Sequence, residues 1–354
     1  MDKKRILASV VVFLILAVLV YLQYRHWRTF DWATFWSQTD RVNKMEVLGG
    51  IALVYFAYLL RAVRWKIFLR SVRPQTKATE LISPTLTGFS GLALLGRAGE
   101  FIRPYLIARR TGLTFSSQLA VWAIERAFDV GSVAVLMLAA VAQARRMPAA
   151  LQPKWFHNLF IGAYFLTALT LGMVAAAVLV RWRGERVAQW IEGRFAHRKE
   201  LGHSLAMKVR EFKDGLDTIH GAGSFVWLTI VSIGMWCVIA LSYAAVTRSY
   251  HDASLNIGPL QILILMGSSM AGSMLQLPAV GGGSQVATIA ALSRLFDVRP
   301  ELAASCGILL WIVTFASVVP SGVLLAQHER LSLRKLSEES HRAEEDEIGQ
   351  PPAA

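Results

Sequence analysis

"LLGRAGEFIRPYLIARR", residues 94–110, decides how the chain is read. It stands among runs of Leu, Ala, Ile and Val, yet carries Arg97, Glu100 and Arg103, two glycines and a proline. Such a stretch is either a soluble loop or a place where charges are held inside a lipid bilayer. Composition favours the second: 54% of the 354 residues are hydrophobic and 17% charged, with a mean hydropathy of +0.43, far from a soluble globular average. A soluble protein with a large core would need polar faces along about half of its helical surface. The 11 Trp suit the interfacial belts where amphipathic rings settle. The expected class is an all-α polytopic membrane protein.

A net charge of +13 could suggest nucleic acid, but the basic residues collect at the ends of apolar segments. That is the pattern of the positive-inside rule, and it excludes a nucleic-acid stripe. Cys237 and Cys306 lie in apolar runs and read as small buried hydrophobes, with no disulfide framework or metal spacing. The N-terminal "MDKKRILASVVVFLILAVLVYLQYRHW" lacks a small-x-small cleavage site after its apolar run, so it reads as an uncleaved first helix.

A span needs about 20 apolar residues. That ruler gives six full transmembrane helices, near 6–22, 47–69, 117–141, 158–180, 224–247 and 301–326. Two further stretches, 81–108 and 259–296, are interrupted by Gly, Pro and polar residues. Lys3, Lys4 and Arg5 place the N-terminus in the cytoplasm, and the second span then delivers Arg61, Arg64, Lys66, Arg70, Arg73 and Lys77 to the inner surface. Stretch 81–108 begins at that face and ends at Arg109 and Arg110, as a re-entrant hairpin would. By parity 259–296 enters from the outer side, and the C-terminus is cytoplasmic. The arrangement is an inverted repeat, 47–141 against 224–326, and paired broken segments in such halves point to a transporter's substrate site. The alternative is that each hairpin is two full spans.

Residues 1–327 are expected to form a single domain. Within 181–222, Leu205, Val209, Phe212, Leu216 and Ile219 make an amphipathic helix that either lies on the anionic leaflet or caps the bundle. The tail, 328–354, turns from basic to acidic and is expected to be disordered.

If 96–109 is one helix, Arg97, Glu100 and Arg103 share a face and the carboxylate pairs with both guanidiniums. Gly96 and Gly99 thin that face for a neighbouring backbone or a lipid headgroup. In "VWAIERAFDVGS", Glu125, Arg126 and Asp129 fall within about one turn, with Arg126 able to reach Asp129. This second cluster is expected to face the first, since charges in a membrane usually line a cavity. The plain readings are a structural ion-pair cluster and snorkelling at the interface. In the second hairpin Pro278 ends one arm, Gly281, Gly282 and Gly283 turn, and Ser284 is a good N-cap for the next helix. With Gln285 and Thr288 beside it, that N-terminus suits a phosphate or carboxylate, although a mere bend would look the same. His26 and Asp31 match an H-x-x-x-x-D pattern that reads as chance, and no nucleotide, nucleophile or metal motif is found. The chain is therefore expected not to be an enzyme and to need no cofactor.

"GRAGEFIRPYLIARRTGLTFSSQLAVWAIERAFDV", with its G-R-x-G-E-x-x-R core and downstream E-R-x-x-D, resembles the lysylphosphatidylglycerol synthase transmembrane-region family, the flippase-like membrane domain. "RAVRW" at Arg61, Arg64 and Trp65 and the Pro-then-Gly turn at 278–283 are similar too, over about residues 5–327. The resemblance implies a bacterial or archaeal-type inner-membrane protein that moves an anionic, aminoacylated or polyprenyl-linked lipid between leaflets. Arg97, Glu100, Arg103, Glu125, Arg126 and Asp129 would be its functional polar set. Two departures stand out: no soluble aminoacyl-transferring domain follows the last span, and Gln285, Val286 and Ala287 stand where family members commonly place a Glu. The partners expected are a phospholipid or polyprenyl-phosphate lipid and, beside it, a separate lipid-modifying enzyme. The alternatives are a membrane transferase acting on a lipid-linked substrate and a scaffold for a separate synthase.

Overall fold

A computed structural model describes residues 31–146, 156–194, 199–216, 222–273 and 282–328. Every regular element among them is helical. Asp31 caps α1 (Trp32–Asp40), accepting from Thr34 Oγ1 at 2.6 Å and from the Thr34 amide at 3.0 Å, bonds that hold its carboxyl below the usual range. Asn43 likewise caps α2 (Lys44–Leu69), accepting from the Met45 amide.

The first broken segment is two short arms, α3 (Ile82–Leu95) and α4 (Ile102–Thr111), joined by a 3-10 turn over Gly96–Phe101. At 1.5 Å per residue each arm is too short for a hydrocarbon core of about 30 Å. The arms fold back on each other, and Arg110 Nη1 donates to the Glu80 carbonyl at 3.0 Å, joining the hairpin's two ends. Gly112, at φ 64°, ends α4, and Thr114 caps α5 (Phe115–Ala144). Next come α6 (Phe156–Arg194), α7 (Lys199–Leu216) and α8 (Ala222–Arg248). The second hairpin has arms α9 (Pro259–Gly272) and α10 (Gly283–Ala290), the latter continued by a π-turn over Ala291–Leu295. Then α11 (Pro300–Trp311) passes through a π-turn at Ile312–Ala316 into α12 (Val319–His328). Pro320 explains that last break, because it has no N–H for the Ala316 carbonyl. Tyr55 and Tyr58 of α2 bond the Ser317 and Thr314 carbonyls around it, at 2.9 and 3.2 Å.

Among the described residues, four helices are long and apolar enough to cross a membrane: Lys44–Leu69, Phe160–Arg194, Gly223–Arg248 and Pro300–His328. The span expected at 117–141 is α5, whose 30 residues reach about 45 Å but hold acids; the span at 6–22 and the tail beyond 328 lie outside the described residues. Helices α2 and α8 run antiparallel, tied by Asn43 N to Ser249 O at 2.8 Å and Ser242 Oγ to Gly50 O at 2.9 Å. The main apolar core joins them to α5, α9 and α11 through Tyr58, Met137, Trp236, Tyr243, Leu265 and Leu302.

Three expectations need correction. The segment 96–109 is not one helix, because Gly96 takes φ 66°, outside the helical region, and breaks it. Helix α6 continues through 181–194, so the amphipathic segment begins only at α7. There, Ala206 and Leu216 are buried, and Gly215 lies against Ser117 and Ala120, so α7 caps α5 and α6. Finally, Cys306 is buried, as expected, but Cys237 is exposed on α8.

Candidate functional site

Arg64 of α2 is at the centre of the site, with a side chain that is fully buried. It donates through Nη2 to Glu125, and through Nη1 to Asp129 Oδ1 at 2.7 Å and Ser232 Oγ at 3.1 Å. Glu125 and Asp129 are four residues apart, one turn of α5, so a single planar guanidinium reaches both carboxylates. Arg103 of α4 grips Glu125 from the other side with both Nη atoms. Its guanidinium lies over the rings of Trp65, at 4.5 Å, and Phe89, at 5.0 Å. Arg61, one turn before Arg64, lies 4.8 Å over Phe89 and 3.6 Å from Asp129. Trp236 of α8 donates to Asp129 at 3.2 Å, and Arg126 reaches it at 3.1 Å. The cluster therefore ties α2, the first hairpin, α5 and α8 together about 15 Å along α5 from its start.

The expected union of the two polar clusters is present, carried by Arg103 alone. Glu100 pairs with Arg97 at 3.2 Å but not with Arg103, because the 3-10 turn and the start of α4 direct Arg103 back towards α5. Gly99 packs on the Gly91 backbone inside the hairpin, where a side chain has no room. In the second hairpin Gly281 lies outside the described residues. Ser284 is not the N-cap: Gly282 holds that position with φ 72°, leaving Ser284 buried in the first turn, where its carbonyl accepts from Thr288 Oγ1. Gly283 packs against Gly272, and Gln285 is half-buried on α10. The two hairpins meet where Arg97 Nη2, at the tip of the first, donates to the Ser273 carbonyl at the end of α9, at 3.3 Å.

Sequence reasoning missed Arg61, Arg64, Ser232 and Trp236 as members of the site. The two arginines were assigned to the inner surface on charge alone. Their spacing was a usable signal, since arginines three apart on an apolar helix share a face that needs acids opposite.

Comparison with known protein families matches residues 6–322 to the family described as the lysylphosphatidylglycerol synthase TM region. The chain belongs to that family. No curated protein and no solved structure is significantly similar to it. In this family member the G-R-x-G-E-x-x-R stretch supplies the hairpin tip and Arg103, while E-R-x-x-D supplies the acids that Arg64 and Arg103 bind. Membership and the apolar helices make this a membrane protein.

Beyond the cluster, an apolar groove of about 720 Å³ lies between α5, α6, α7 and α8. Ile124, Phe128 and Val135 line it from α5, whereas Glu125, Arg126 and Asp129 point to another side of the same helix. A much smaller pocket, about 20 Å³, sits at the cluster itself between Phe89, Glu100, Arg103, Trp122 and Arg126. That is room for about one water.

Proposed function

We propose that this protein is a lipid transporter of the inner membrane, not an enzyme, and that it carries an anionic, aminoacylated or polyprenyl-linked headgroup past the buried arginine cluster. The observation that carries this reading is the cluster, in which four arginines meet two acids inside a bundle of apolar helices. A purely structural network is most stable when its charges balance, because burying an uncompensated ion is costly. An excess of guanidiniums suits a passing anion. The headgroup would enter at the pocket beside Arg103 and Arg126 while its tails remain in the bilayer, and the tip contact between the hairpins would part to let it through. Lys66, Arg70, Arg73, Arg109 and Arg110 gather where α2 and the first hairpin end, so that end would face the cytoplasm, with both termini, by the positive-inside rule. A separate lipid-modifying enzyme would supply the cargo.

Reconstitution into vesicles with fluorescent phospholipid and polyprenyl-phosphate probes tests this. Leaflet exchange is expected in the parent, with large losses in Glu100→Gln and Arg103→Ala. Equal exchange in all three, or a covalently altered lipid after incubation, would overturn the transport reading.

A further inference from the structure

We infer that the site selects its headgroup by charge state, taking a doubly ionised phosphate, as in a phosphomonoester or diphosphate, over a singly charged phosphodiester, a zwitterion or an aminoacylated headgroup. This deepens the transport reading and rests on it.

The inference starts from a count of charges. The cluster holds the guanidiniums of Arg61, Arg64, Arg103 and Arg126 against the carboxylates of Glu125 and Asp129. Arg97 and Glu100 add one charge of each sign and pair with each other. Two positive charges are left over, and all of Arg61, Arg64, Arg103, Glu125 and Asp129 have side chains at most 9% exposed. The surplus can be located. Arg64 and Arg103 are engaged by carboxylates through strong, short contacts. Arg61 Nη1 is buried without a hydrogen-bond partner and stands 3.6 Å or more from either acid. Arg126 Nε is likewise buried without one, as are Arg64 Nε and Asp129 Oδ2, although Arg126 Nη2 stands 3.1 Å from Asp129. The Arg126 side chain, one third exposed, lines the small pocket.

The pocket's shape agrees with this count. Arg103 and Arg126 form two walls, Phe89, shared with Arg61, forms a third, and Gly88 leaves the floor without a side chain. The space admits about one oxygen as it stands, so entry of a phosphate requires Arg126 to turn outward. A dianion there would cancel the surplus and give Arg126 a partner in the pocket wall, while Arg61, which does not line the pocket, would be compensated through its charge alone. A phosphodiester would leave one buried charge uncompensated, and an ammonium on the headgroup would face guanidiniums. Glu100 also faces the pocket, and its own charge is matched by Arg97 across the mouth.

The test uses the full chain in detergent, with binding read by isothermal titration calorimetry. Dihexanoyl phosphatidic acid, dihexanoyl phosphatidylglycerol and dihexanoyl phosphatidylcholine are titrated at pH 8 and pH 5. A phosphomonoester loses its second charge near pH 6, and none of the groups facing the site from α2, the hairpin or α5 is a histidine. The monoester is expected to bind about tenfold more tightly than the diester at pH 8, and the preference is expected to vanish at pH 5 while diester binding stays level. Arg126→Gln should abolish the preference and Arg126→Lys should keep part of it; unfolding midpoints identify any variant that is misfolded. Inorganic phosphate is the second arm. Weak competition is expected, and competition as strong as that of the lipid would reassign the site to free phosphate. Equal affinity of the parent for monoester and diester at both pH values would overturn charge selection even if leaflet exchange still depended on Arg103. A sharp preference with no exchange of any lipid would sink the transport reading and leave the selectivity standing.

Discussion

Arg97, at the tip of the first hairpin, donates to the main-chain carbonyl of Ser273, at the end of an arm of the second, at 3.3 Å. The bond joins the tip of the first hairpin to the end of α9 in the second. It lies at an exposed side chain, where a single polar contact is worth about 1 kcal/mol or less.

Arg97→Gln is therefore expected to leave the unfolding midpoint nearly unchanged. If parting of the hairpins limits transport, loss of the bond should raise leaflet exchange by up to about fivefold, the factor equivalent to 1 kcal/mol. A rate equal to or below that of the parent in reconstituted vesicles would show that the contact does not restrain the motion.

The acids of α5 are expected to matter for stability as well as for transport. Glu125→Gln leaves Arg103 without a charged partner and Arg64 with Asp129 alone in a dry environment, and breaking one side of a buried pair costs about 3–5 kcal/mol. Arg61→Gln should cost much less, since Arg61 Nη1 makes no hydrogen bond and its removal lowers the surplus charge. Thermal unfolding in detergent ranks the two variants. Equal damage from both would contradict the assignment of the surplus to Arg61.

Closure of the first hairpin depends on Gly99, whose added Cβ would collide with the main chain of Gly91. Gly99→Ala should destabilise the fold by about 1–3 kcal/mol, as overpacking does. Gly172→Ala on α6 is the matched control: nothing lies within 4 Å of that position, and a helical Gly→Ala change by itself gains up to about 1 kcal/mol. Limited proteolysis and unfolding midpoints should separate the two variants, and similar behaviour would mean that the two arms do not pack as closely as described.

Tyr55→Phe with Tyr58→Phe removes two hydroxyls bonded to the carbonyls of Ser317 and Thr314. Each bond is worth about 1 kcal/mol. The loss should appear as faster amide exchange confined to residues around 312–318. Protection unchanged there would indicate that the break is held by other contacts.

The architecture was legible because apolar runs, interrupting glycines and basic loops are local signals, each constrained by bilayer thickness or by the cost of a misplaced charge. Half of the site was legible for the same reason: Arg103, Glu125, Arg126 and Asp129 interrupt apolar helix, and each needs a partner. Arg64 was missed because a basic residue near the end of a span has a cheap alternative explanation, snorkelling, and only the depth of α5 beside α2 removes it. Ser284 was misplaced because Gly282 adopts a backbone angle that composition does not specify. The split of Arg97 and Glu100 from Arg103 follows from the helix break at Gly96, a single glycine whose conformation redirects every side chain after it.

The π-turn at Ile312–Ala316 divides one long helix between two masters. Before it, Gly307 of α11 packs against Ile289 of the second hairpin; after it, Gly322 of α12 packs against Leu86 and Ser90 of the first. A proline-weakened joint lies between those two attachments. Both hairpins are therefore attached to one helix, on opposite sides of its break, so each can shift its own half of that helix while the other stays in place.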